Sequence, residues 1–495
     1  MNQPKILFVS SEVAPFAKVG GLADVVGVLP SVMVKAGCDA RVIMPLYRQI
    51  KQKYGDQLTF KRWTMLKLGW RSMYSGLFQM EKDDVTYYFI DNEYYFGHDA
   101  IYQDYSFDIE RFCFFQRAVL EVMGDAMEFE PDILHCNDWQ AGMIPCLLDA
   151  HYRPHGYHTN VKTVLTIHNL KYQGIHGVER IADLCDLSPQ YMTSYGVLKD
   201  GVPNFLKAGI VYSDAITTVS PTYAQEILTA YYGEGLDGVL RNYSYKLTGI
   251  LNGLDLDEYN PATDKHLAKT YTVKNYKKNK ALCKEALQEK LNLDVNPGAP
   301  LLGVITRLVD QKGIDLLIRV LDEMLYDGMQ VVILGTGDPY YESTLRKMSG
   351  NRPQQLSINI HYSNELAHQI YAGSDMFLMP SLFEPCGLSQ MIAMRYGTVP
   401  IVRETGGLKD TVFPYNQFTG EGNGFSFSNI NAHELLFTTK YACDIYRHHP
   451  DSWEGLVQTG MNGDYSWDSS AAKYLALYGN LFGQDWQPNC FNNED

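Results

Sequence analysis

One short pattern occurs twice in this chain and constrains its fold more than any other feature. A Gly-Gly pair followed by Leu, a variable residue and Asp spans residues 20–26 (GGLADVV) and again residues 406–412 (GGLKDTV). A glycine pair lets the backbone turn sharply and approach a ligand closely, and a helix that begins there points unpaired N–H groups at that ligand. A single copy is more typical of a tight strand-to-helix turn. Two copies, with Lys18 beside the first, predict two similar half-sites for an anionic ligand.

Each copy lies within a series of short apolar runs that alternate with segments able to form helices. Such runs predict parallel β-strands joined by helices. The predicted strands are residues 6–10, 40–44, 86–90, 133–136, 163–167 and 215–219 in the first half, and 301–305, 330–334, 357–361, 376–379 and 399–402 in the second. Each half is therefore predicted to be a doubly wound α/β domain. Two such domains facing each other would enclose a cleft at the carboxyl ends of their strands.

Turn residues near position 250 separate the two halves and place the predicted domain boundary near residue 248. The lysine-rich residues 274–280 are predicted to be the solvated start of a helix, without a function. Residues 469–482 predict a closing helix, but its periodicity does not define which domain it packs against.

Composition excludes several classes of protein. The chain has 495 residues, 45% of them apolar, which favours two globular domains over disorder. Its net charge of -15 disfavours nucleic acid as a partner. The nine cysteines form no C-x-x-C pair and no metal-like spacing with histidine, so we predict reduced thiols and no bound metal. With neither a secretory signal nor an apolar stretch long enough to span a bilayer, the chain is expected to be cytoplasmic and not bound to membranes.

The loop after the strand at residues 301–305 brings two cations together before a helix. Arg307 and Lys312 lie in the sequence TRLVDQKG, residues 306–313. Arginine binds phosphate oxygens as a fork and lysine acts as a movable charge, so the pair suits a diphosphate. The alternative is a surface loop whose charges are incidental.

Residues 381–388 (SLFEPCGL) follow another predicted strand and precede a helix. Glu384 at this position is suited to receive sugar hydroxyls, with the N–H groups of Cys386 and Gly387 nearby. The alternative is that Glu384 only caps the helix. Cys386 has no adjacent histidine or lysine that would indicate a reactive thiolate, so we interpret it as a residue lining the site.

Two histidines lie at the ends of neighbouring predicted strands in the first half. His168 ends the strand at residues 163–167, while His135 and Asp138 flank the strand at residues 133–136. A lone histidine is usually structural, but this edge is where the cleft is predicted, so His168 is favoured as a site residue. Many aromatic residues fall between positions 87 and 105; they are expected to be packing residues, although exposed rings also stack on sugars.

Taken together, these motifs resemble the family of bacterial glycogen synthases and plant starch synthases. Residues 18–22 (KVGGL) are similar to that family's K-x-G-G-L signature, and the resemblance covers essentially the whole chain. The other similar stretches are residues 135–139, 166–170, 205–209, 219–223, 307–313, 384–388 and 405–408. The resemblance implies a GT-B fold with residues 1–248 as the N-terminal domain, residues 249–477 as the C-terminal domain, and a final helix, residues 478–495, that returns to the N-terminal domain.

The resemblance also implies roles for individual residues. Lys18 would stand by the donor phosphates, Arg307 and Lys312 would hold the diphosphate, Glu384 would bind the donor glucose and His168 would face the reacting sugar. The further positions implied around donor or acceptor are Glu12, Gly20, Gly21, Asp24, Asp138, Asn169, Asn252, Gln311, Tyr362 (the adenine partner), Cys386, Gly387, Leu388 and Ser389. The sequence departs from the family pattern at Ser389, where threonine is common, and at His361, where glycine is common.

The implied reaction transfers glucose from ADP-glucose to the non-reducing end of an α-1,4-glucan with retention of configuration, by a monomer or small homo-oligomer. No cofactor is expected. No metal is expected either, since no D-x-D cluster stands where it could coordinate a cation and Arg307 with Lys312 can neutralise the leaving diphosphate. The alternatives are a UDP-glucose-dependent synthase and a catalytically silent glucan-binding protein. An NAD-dependent oxidoreductase has weak support from Gly335 and Gly337, but no G-x-G-x-x-G follows the first strand.

Overall fold

The backbone of this computed structural model, described for residues 3–482, divides into two compact units. Among the described residues, unit 1 comprises residues 3–253 and 467–482, and unit 2 is Leu254–Ser466. These divisions, after Gly253 and after Ser466, differ from the predicted domain bounds of 1–248, 249–477 and 478–495. The predicted bounds remain a prediction. The portion of the predicted closing helix at residues 483–495 lies outside the described residues.

Unit 1 is built on a nine-stranded sheet in the order β11-β10-β7-β6-β1-β2-β5-β4-β3. The strands from β11 to β5 run parallel, and their near-continuous apolar sequences are typical of strands covered on both faces. Its strands, with the separate two-stranded β8–β9 ribbon, are β1 (Lys5–Val9), β2 (Asp39–Pro45), β3 (Thr59–Leu68), β4 (Arg71–Lys82), β5 (Val85–Asp91), β6 (Ile133–Asn137), β7 (Lys162–Ile167), β8 (Leu198–Lys199), β9 (Val202–Pro203), β10 (Ala215–Thr218) and β11 (Leu247–Gly249).

Chain order reverses between β1 and β6, because β2 and β5 extend the sheet on one side of β1 while β6, β7, β10 and β11 extend it on the other. In open α/β sheets the ligand crevice lies at the carboxyl end of such a reversal. The loops after β1, β6 and β7 therefore form the candidate site of unit 1.

The antiparallel pair β3 and β4 was not predicted. It joins the parallel sheet through β5 and makes β3 the edge strand. Large exposed apolar side chains stand among the polar ones on these two strands, so the apolar-polar alternation that marks a half-buried strand is interrupted in the sequence.

The helices of unit 1 cover the parallel part of its sheet. In the helix that begins at Gly21, the buried residues Leu22, Val25, Val26 and Leu29 recur at helical spacing and form one apolar face. These helices are α1 (Gly21–Lys35), α2 (Arg48–Tyr54), α3 (Glu93–Phe96), α4 (Tyr105–Val122), α5 (Trp139–Gly142), α6 (Ile144–Leu147), α7 (Val178–Cys185), α8 (Phe205–Tyr212), α9 (Pro221–Glu226) and α10 (Asp237–Asn242).

Unit 2 has a six-stranded parallel sheet in the order β14-β13-β12-β15-β16-β17, with the reversal between β12 and β15. Its strands are β12 (Leu301–Ile305), β13 (Gln330–Leu334), β14 (Leu356–Asn359), β15 (Met376–Met379), β16 (Val399–Arg403) and β17 (Phe425–Phe427). Its helices are α11 (Tyr276–Lys290), α12 (Ile314–Tyr326), α13 (Pro339–Asn351), α14 (Asn364–Gly373), α15 (Ser389–Arg395), α16 (Gly406–Thr411), α17 (Ala432–His448) and α18 (Pro450–Met461).

The lysine-rich start of α11 is only partly solvated, contrary to the prediction. Lys280 is buried, and its ammonium donates to the carbonyls of Tyr371, Ala372 and Tyr396 and to Thr398 Oγ1. Burial lowers the pKa of Lys280 to about 7. This lysine therefore ties α11 to the amino-terminal side of the sheet. Its acceptors are mostly backbone carbonyls of distant residues, which the sequence around Lys280 could not reveal.

The last described helix, α19 (Trp467–Phe482), belongs to unit 1. Its Tyr478 hydroxyl lies 2.6 Å from Nδ1 of His135 on β6, and Nε2 of that histidine lies 2.5 Å from Thr166 Oγ1. Burial lowers the pKa of His135 to about 3. His135 is therefore a structural residue that links α19 to the sheet. It takes no part in the predicted site, for which the sequence favours His168 over His135. No helix within residues 3–482 is long and apolar enough to cross a membrane.

Candidate active site

The loop between β1 and α1 is held by one buried carboxylate. Oε2 of Glu12 accepts hydrogen bonds from the N–H groups of Val19 at 2.5 Å and Gly20 at 2.9 Å. Oε1 accepts from the hydroxyl of Tyr102 at 2.5 Å, and this hydroxyl also lies 3.0 Å from Ser11 Oγ. Both oxygens of Glu12 thus bind groups of the protein. Tyr102, which sequence analysis did not single out, lies about ninety residues away, so no local signal could have identified it.

The first Gly-Gly turn, which Glu12 holds by the Gly20 N–H, has open space beside its backbone. A Cβ atom at Gly20 or at Gly21 would meet no other group within 4 Å. Beside it, Lys18 Nζ and Asp24 Oδ1 form an ion pair of 2.6 Å, and both side chains are partly exposed. The predicted residues Glu12, Lys18, Gly20, Gly21 and Asp24 are therefore brought together at the start of α1, with room for a ligand to approach the backbone.

A second group of predicted residues lies at the ends of β6 and β7. Asp138 has a positive φ of 54°, and its Oδ1 accepts from the N–H groups of His168 at 2.7 Å and Asn169 at 3.4 Å. Burial raises the pKa of Asp138 to about 7, although these two N–H groups act in the opposite direction. Asp138 therefore positions the loop that carries His168 and is close to half ionised at neutral pH.

The His168 imidazole is neutral and its tautomer can be assigned. Burial lowers its pKa to about 3. Nε2 lies 2.9 Å from Asn137 Oδ1, while Asn137 Nδ2 donates to the carbonyls of Val9 and His135. Since Asn137 Oδ1 is thus the acceptor, Nε2 of His168 carries the proton and Nδ1 carries the lone pair. This imidazole can accept a hydrogen bond from a hydroxyl through Nδ1.

Asn252 lies in the loop after β11, at the far edge of the same sheet. Its side chain is buried, and among the described residues its Oδ1 has no hydrogen-bond partner. No hydrogen bond in residues 3–482 joins it to the other predicted residues of unit 1. Gln140, directly after the predicted residues at the end of β6, likewise has a buried Oε1 without a partner in the described chain.

In unit 2, Lys312 and Glu384 meet across the reversal between β12 and β15. Lys312 Nζ donates to Glu384 Oε2 at 2.5 Å, and Ser381 Oγ donates to the same oxygen at 3.1 Å. Both side chains of the ion pair are largely buried. Glu384 does not cap a helix, because α15 begins five residues later at Ser389. The alternative reading of Glu384 as a simple cap is therefore wrong.

Arg307 is exposed and lies two residues after β12, in the same loop as Lys312. Its guanidinium makes no hydrogen bond or ion pair with the described residues, so its five N–H donors face solvent. Gln311, in the short turn Asp310–Lys312, accepts from Leu382 N–H through its backbone carbonyl at 2.8 Å and donates through Nε2 to Phe383 O at 3.4 Å. This glutamine joins the two loops that carry the cations and the carboxylate.

The second Gly-Gly turn packs against the Glu384 loop from behind. A Cβ atom at Gly406 would lie 2.0 Å from Glu384 O, and one at Gly407 would lie 1.9 Å from Cys386 O. Gly407 N–H also donates to Glu384 O at 3.1 Å. Only glycine allows this approach, so the pair positions residues 384–386.

Two further side chains that sequence analysis did not single out hold the same loop. Arg403 is buried at the end of β16 and donates to the carbonyls of Ser381, Leu382 and Ser428. Gln390 is fully buried, and its Nε2 donates to Cys386 O at 3.2 Å, Gly387 O at 2.8 Å and Thr411 Oγ1 at 3.0 Å. Their partners are mostly backbone carbonyls, and residue identity carries no signal for such contacts.

The remaining predicted residues of unit 2 differ in exposure. Cys386 is buried, while Gly387, Leu388 and Ser389 are half-buried around the start of α15. Tyr362 follows β14 with 84% of its surface exposed, so its ring is accessible to a ligand. Gly387 has a φ of +71°, a conformation that favours glycine.

Gly335 and Gly337, which gave weak support to a dinucleotide site, have a packing role. Cβ atoms at these positions would lie 1.8 Å from Thr306 O and 2.2 Å from Leu308 O. These glycines support the backbone on either side of Arg307.

Comparisons with known proteins agree with this architecture. Residues 5–242 match the model of the starch synthase catalytic domain, and residues 284–436 match that of the glycosyl transferases group 1. The chain is 48% identical over 476 residues to the glycogen synthase of Lachnospira eligens, with 96% of this chain and 99% of the relative covered. It is 51% identical over 477 residues to the glycogen synthase of Clostridium novyi, with the same coverage.

Solved structures give the same result. The catalytic domain of starch synthase IV from Arabidopsis thaliana, bound to ADP and acarbose, matches with a TM-score of 0.88 at 33% identity and covers 97% of this chain and 99% of that chain. Sucrose-phosphate synthase from Thermosynechococcus elongatus, with a TM-score of 0.61 at 17% identity and the same coverage, shares the fold.

The fold and these matches define a glycosyltransferase with two doubly wound α/β domains of the GT-B type. The chain belongs to the family of glycogen synthases and starch synthases. The fold class and family predicted from the sequence are thus confirmed.

Proposed function

We propose that the protein transfers glucose from ADP-glucose to the non-reducing end of an α-1,4-glucan, with retention of the α configuration and release of ADP. The observation that carries this proposal is the buried Lys312–Glu384 pair at the strand-order reversal of unit 2, with the exposed Arg307 in the same loop as Lys312. The related starch synthase IV structure, which contains ADP and the oligosaccharide acarbose, supports the choice of both substrates.

In unit 2, the positive groups suit the leaving diphosphate. Arg307 offers free donors in a fork, and Lys312 offers an ammonium whose charge is placed by Glu384. Stabilising the charge that develops on the departing diphosphate is the principal catalytic contribution of such groups. Glu384 would bind hydroxyls of the donor glucose, and the exposed ring of Tyr362 would stack on the adenine.

In unit 1, the groups suit the transferred sugar. His168 is neutral, and its Nδ1 can accept from a glucose hydroxyl. The open backbone at Gly20 and Gly21 permits close approach, with Lys18 next to it for phosphate oxygens. Glu12 would act by holding this loop, because both of its oxygens are already bound within the protein.

The proposal is tested by incubating the protein with maltotriose and either ADP-glucose or UDP-glucose, measuring nucleotide release and product length. Rapid release of ADP with chain extension is the expected result. Faster turnover with UDP-glucose would replace the donor assignment. Binding of glucan without release of either nucleotide would instead identify a silent glucan-binding protein. Lys347→Ala, at an exposed position on α13, serves as the control for variants of Lys312.

Cytoplasmic location, a monomeric or small homo-oligomeric state, and independence of metals and cofactors remain predictions.

A further inference from the structure

Backbone hydrogen bonds attach the loop after β12 to the loop after β13. The N–H group of Leu308 donates to Thr336 O at 2.9 Å, and the N–H group of Asp338 donates to Leu308 O at 2.8 Å. These bonds hold the backbone next to Arg307. Because they lie before the short turn Asp310–Lys312, the position of the turn itself depends on other contacts.

A tyrosine of α13 makes one of those contacts. The hydroxyl of Tyr341 donates to Oδ1 of Asp310, the first residue of the turn, from 31 positions away in the sequence. Tyr341 is only 7% exposed, whereas Asp310 is exposed. A hydrogen bond to a carboxylate is stronger than one between neutral groups. The buried tyrosine therefore restrains an otherwise exposed turn.

The beginning of α13 is itself held in place. Asp338 caps the helix, since its Oδ1 accepts an N–H group of the first turn at 2.8 Å. Glu342 Oε1 accepts from the N–H group of Gly337, in the loop after β13, at 2.9 Å. Leu345, one helical turn beyond Tyr341, is fully buried, so the two residues share the inward face of α13. Tyr341 thus holds the turn from a fixed helix start.

The turn is held on its other side by the loop of Glu384. The backbone carbonyl of Gln311 accepts from the N–H group of Leu382 at 2.8 Å. The next residue is Lys312, whose ammonium lies 2.5 Å from Glu384 Oε2. The contact of Tyr341 with Asp310 and the contact with Leu382 therefore fix the turn from two directions, and Lys312 extends from it.

We infer that Tyr341 is a positioning residue for the transfer reaction, which holds Asp310 so that the Lys312 ammonium is placed to receive the diphosphate of ADP-glucose. The inference rests on the proposed function, which assigns Lys312 to the diphosphate. Since Lys312 would contact the donor and not the glucan, loss of the Tyr341 hydroxyl should affect binding of the donor alone.

Two substitutions test this role. Tyr341→Phe removes the hydroxyl and keeps the buried ring. Tyr340→Phe removes the same atom from the adjacent tyrosine, which is 68% exposed, and is the matched control. Tyr341→Phe is also made in a protein that already carries Asp310→Ala, in which the hydroxyl has lost its acceptor. The readouts are the Kd for ADP by calorimetry and KM for ADP-glucose and for maltotriose.

Tyr341→Phe is expected to weaken ADP binding about fivefold and to raise KM for ADP-glucose by a similar factor, with KM for maltotriose unchanged. In the Asp310→Ala protein the same substitution should have no further effect, because the two residues act through one contact. An equal loss in both backgrounds would overturn the inference. So would an equal effect on donor and acceptor, or a Tyr340→Phe variant as impaired as Tyr341→Phe.

Calorimetry separates this inference from the proposed function. If the unsubstituted protein bound no ADP, the proposed function would fail, and the role of Tyr341 would fail with it. If the unsubstituted protein and Tyr341→Phe bound ADP equally well, only the role of Tyr341 would be refuted.

Discussion

The two Gly-Gly turns share five of seven residue positions in type and spacing, yet the structure uses them differently. In unit 1, the backbone at Gly20 and Gly21 is open, and a carboxylate from Glu12 holds the loop by its N–H groups. In unit 2, Gly406 and Gly407 are closed against the carbonyls of Glu384 and Cys386. The first pair leaves open space beside the backbone, whereas the second allows two segments of the protein's own backbone to come into contact.

The groups around the two turns differ in charge as well. Unit 1 presents the partly exposed Lys18–Asp24 ion pair, a neutral histidine and a carboxyl near half ionisation, while unit 2 presents a buried ion pair and a free guanidinium. In unit 1 the motif thus lies near acceptors for hydroxyl groups and one exposed lysine, and in unit 2 it supports two cations suited to a diphosphate.

The sharpest test of this contrast exchanges the second glycine of each pair for alanine. Gly407→Ala forces a Cβ against Cys386 O and is expected to lower the free energy of unfolding by about 3 kcal/mol. Gly21→Ala places a methyl group in open space in the first turn of α1 and is expected to leave stability unchanged or raise it by up to about 1 kcal/mol. Urea denaturation measures both.

At the first turn, substitution is expected to lower activity although it does not lower stability. Gly21→Ala is expected to lower kcat/KM for ADP-glucose at least tenfold in a fully folded protein. Full activity of this variant would show that no ligand approaches the first turn closely.

Removing the cation of unit 2 is expected to have the next largest effect. Lys312→Ala deprives the diphosphate of a charge and leaves Glu384 buried without its ammonium partner. Turnover should fall about 100-fold and binding of ADP should weaken, as measured by ADP release and calorimetry. Lys347→Ala should match the unsubstituted protein, and unchanged kinetics in Lys312→Ala would remove that lysine from the mechanism.

Asp138→Asn tests the titrating carboxyl of unit 1. The folded-state pKa of about 7 exceeds the ordinary value of 3.8, so this group's stability contribution is fully present below about pH 4 and is lost as pH rises through 7. Relative to the unsubstituted protein, Asp138→Asn should therefore gain about 1 to 2 kcal/mol in unfolding free energy between pH 5 and pH 8, after allowance for partial exposure. A pH-independent difference would contradict the raised pKa.

The smallest effect is expected from Tyr102→Phe, which removes only the hydroxyl that binds Glu12 Oε1. The hydrogen bond to this carboxylate and the contact with Ser11 Oγ are both lost, at a cost of about 1 to 2 kcal/mol in stability. Because the carboxylate then holds the loop less firmly, KM for ADP-glucose should rise a few-fold while KM for maltotriose changes less. Equal changes in the two constants would argue against a role specific to the first turn.

The sequence predicted the parallel strands of both units because each is a short apolar run between helices. It did not predict β3 and β4, since the exposed Trp63, Met65 and Tyr74 interrupt the polar face expected of a strand at a sheet edge. The buried Lys280 escaped prediction for a related reason: its acceptors are backbone carbonyls contributed by distant segments.

For the candidate site, sequence motifs identified groups that the structure brings together within each unit, such as Lys312 with Glu384 and Asp138 with His168. Motifs could not separate residues that face a ligand from residues that hold a loop. Arg403, Gln390 and Tyr102 act through backbone carbonyls or one distant carboxylate, and their positions follow only from the folded chain.

The return of α19 to unit 1 determines the order in which the molecule can be completed during synthesis. Unit 2 is continuous from Leu254 to Ser466, so the ribosome releases all of its residues before those of α19. His135 must then wait for more than three hundred further residues to be translated before it acquires Tyr478. The half of the protein made first is thus finished last, and a chain truncated after residue 466 would leave His135 on β6 uncovered although every residue of the second unit is present.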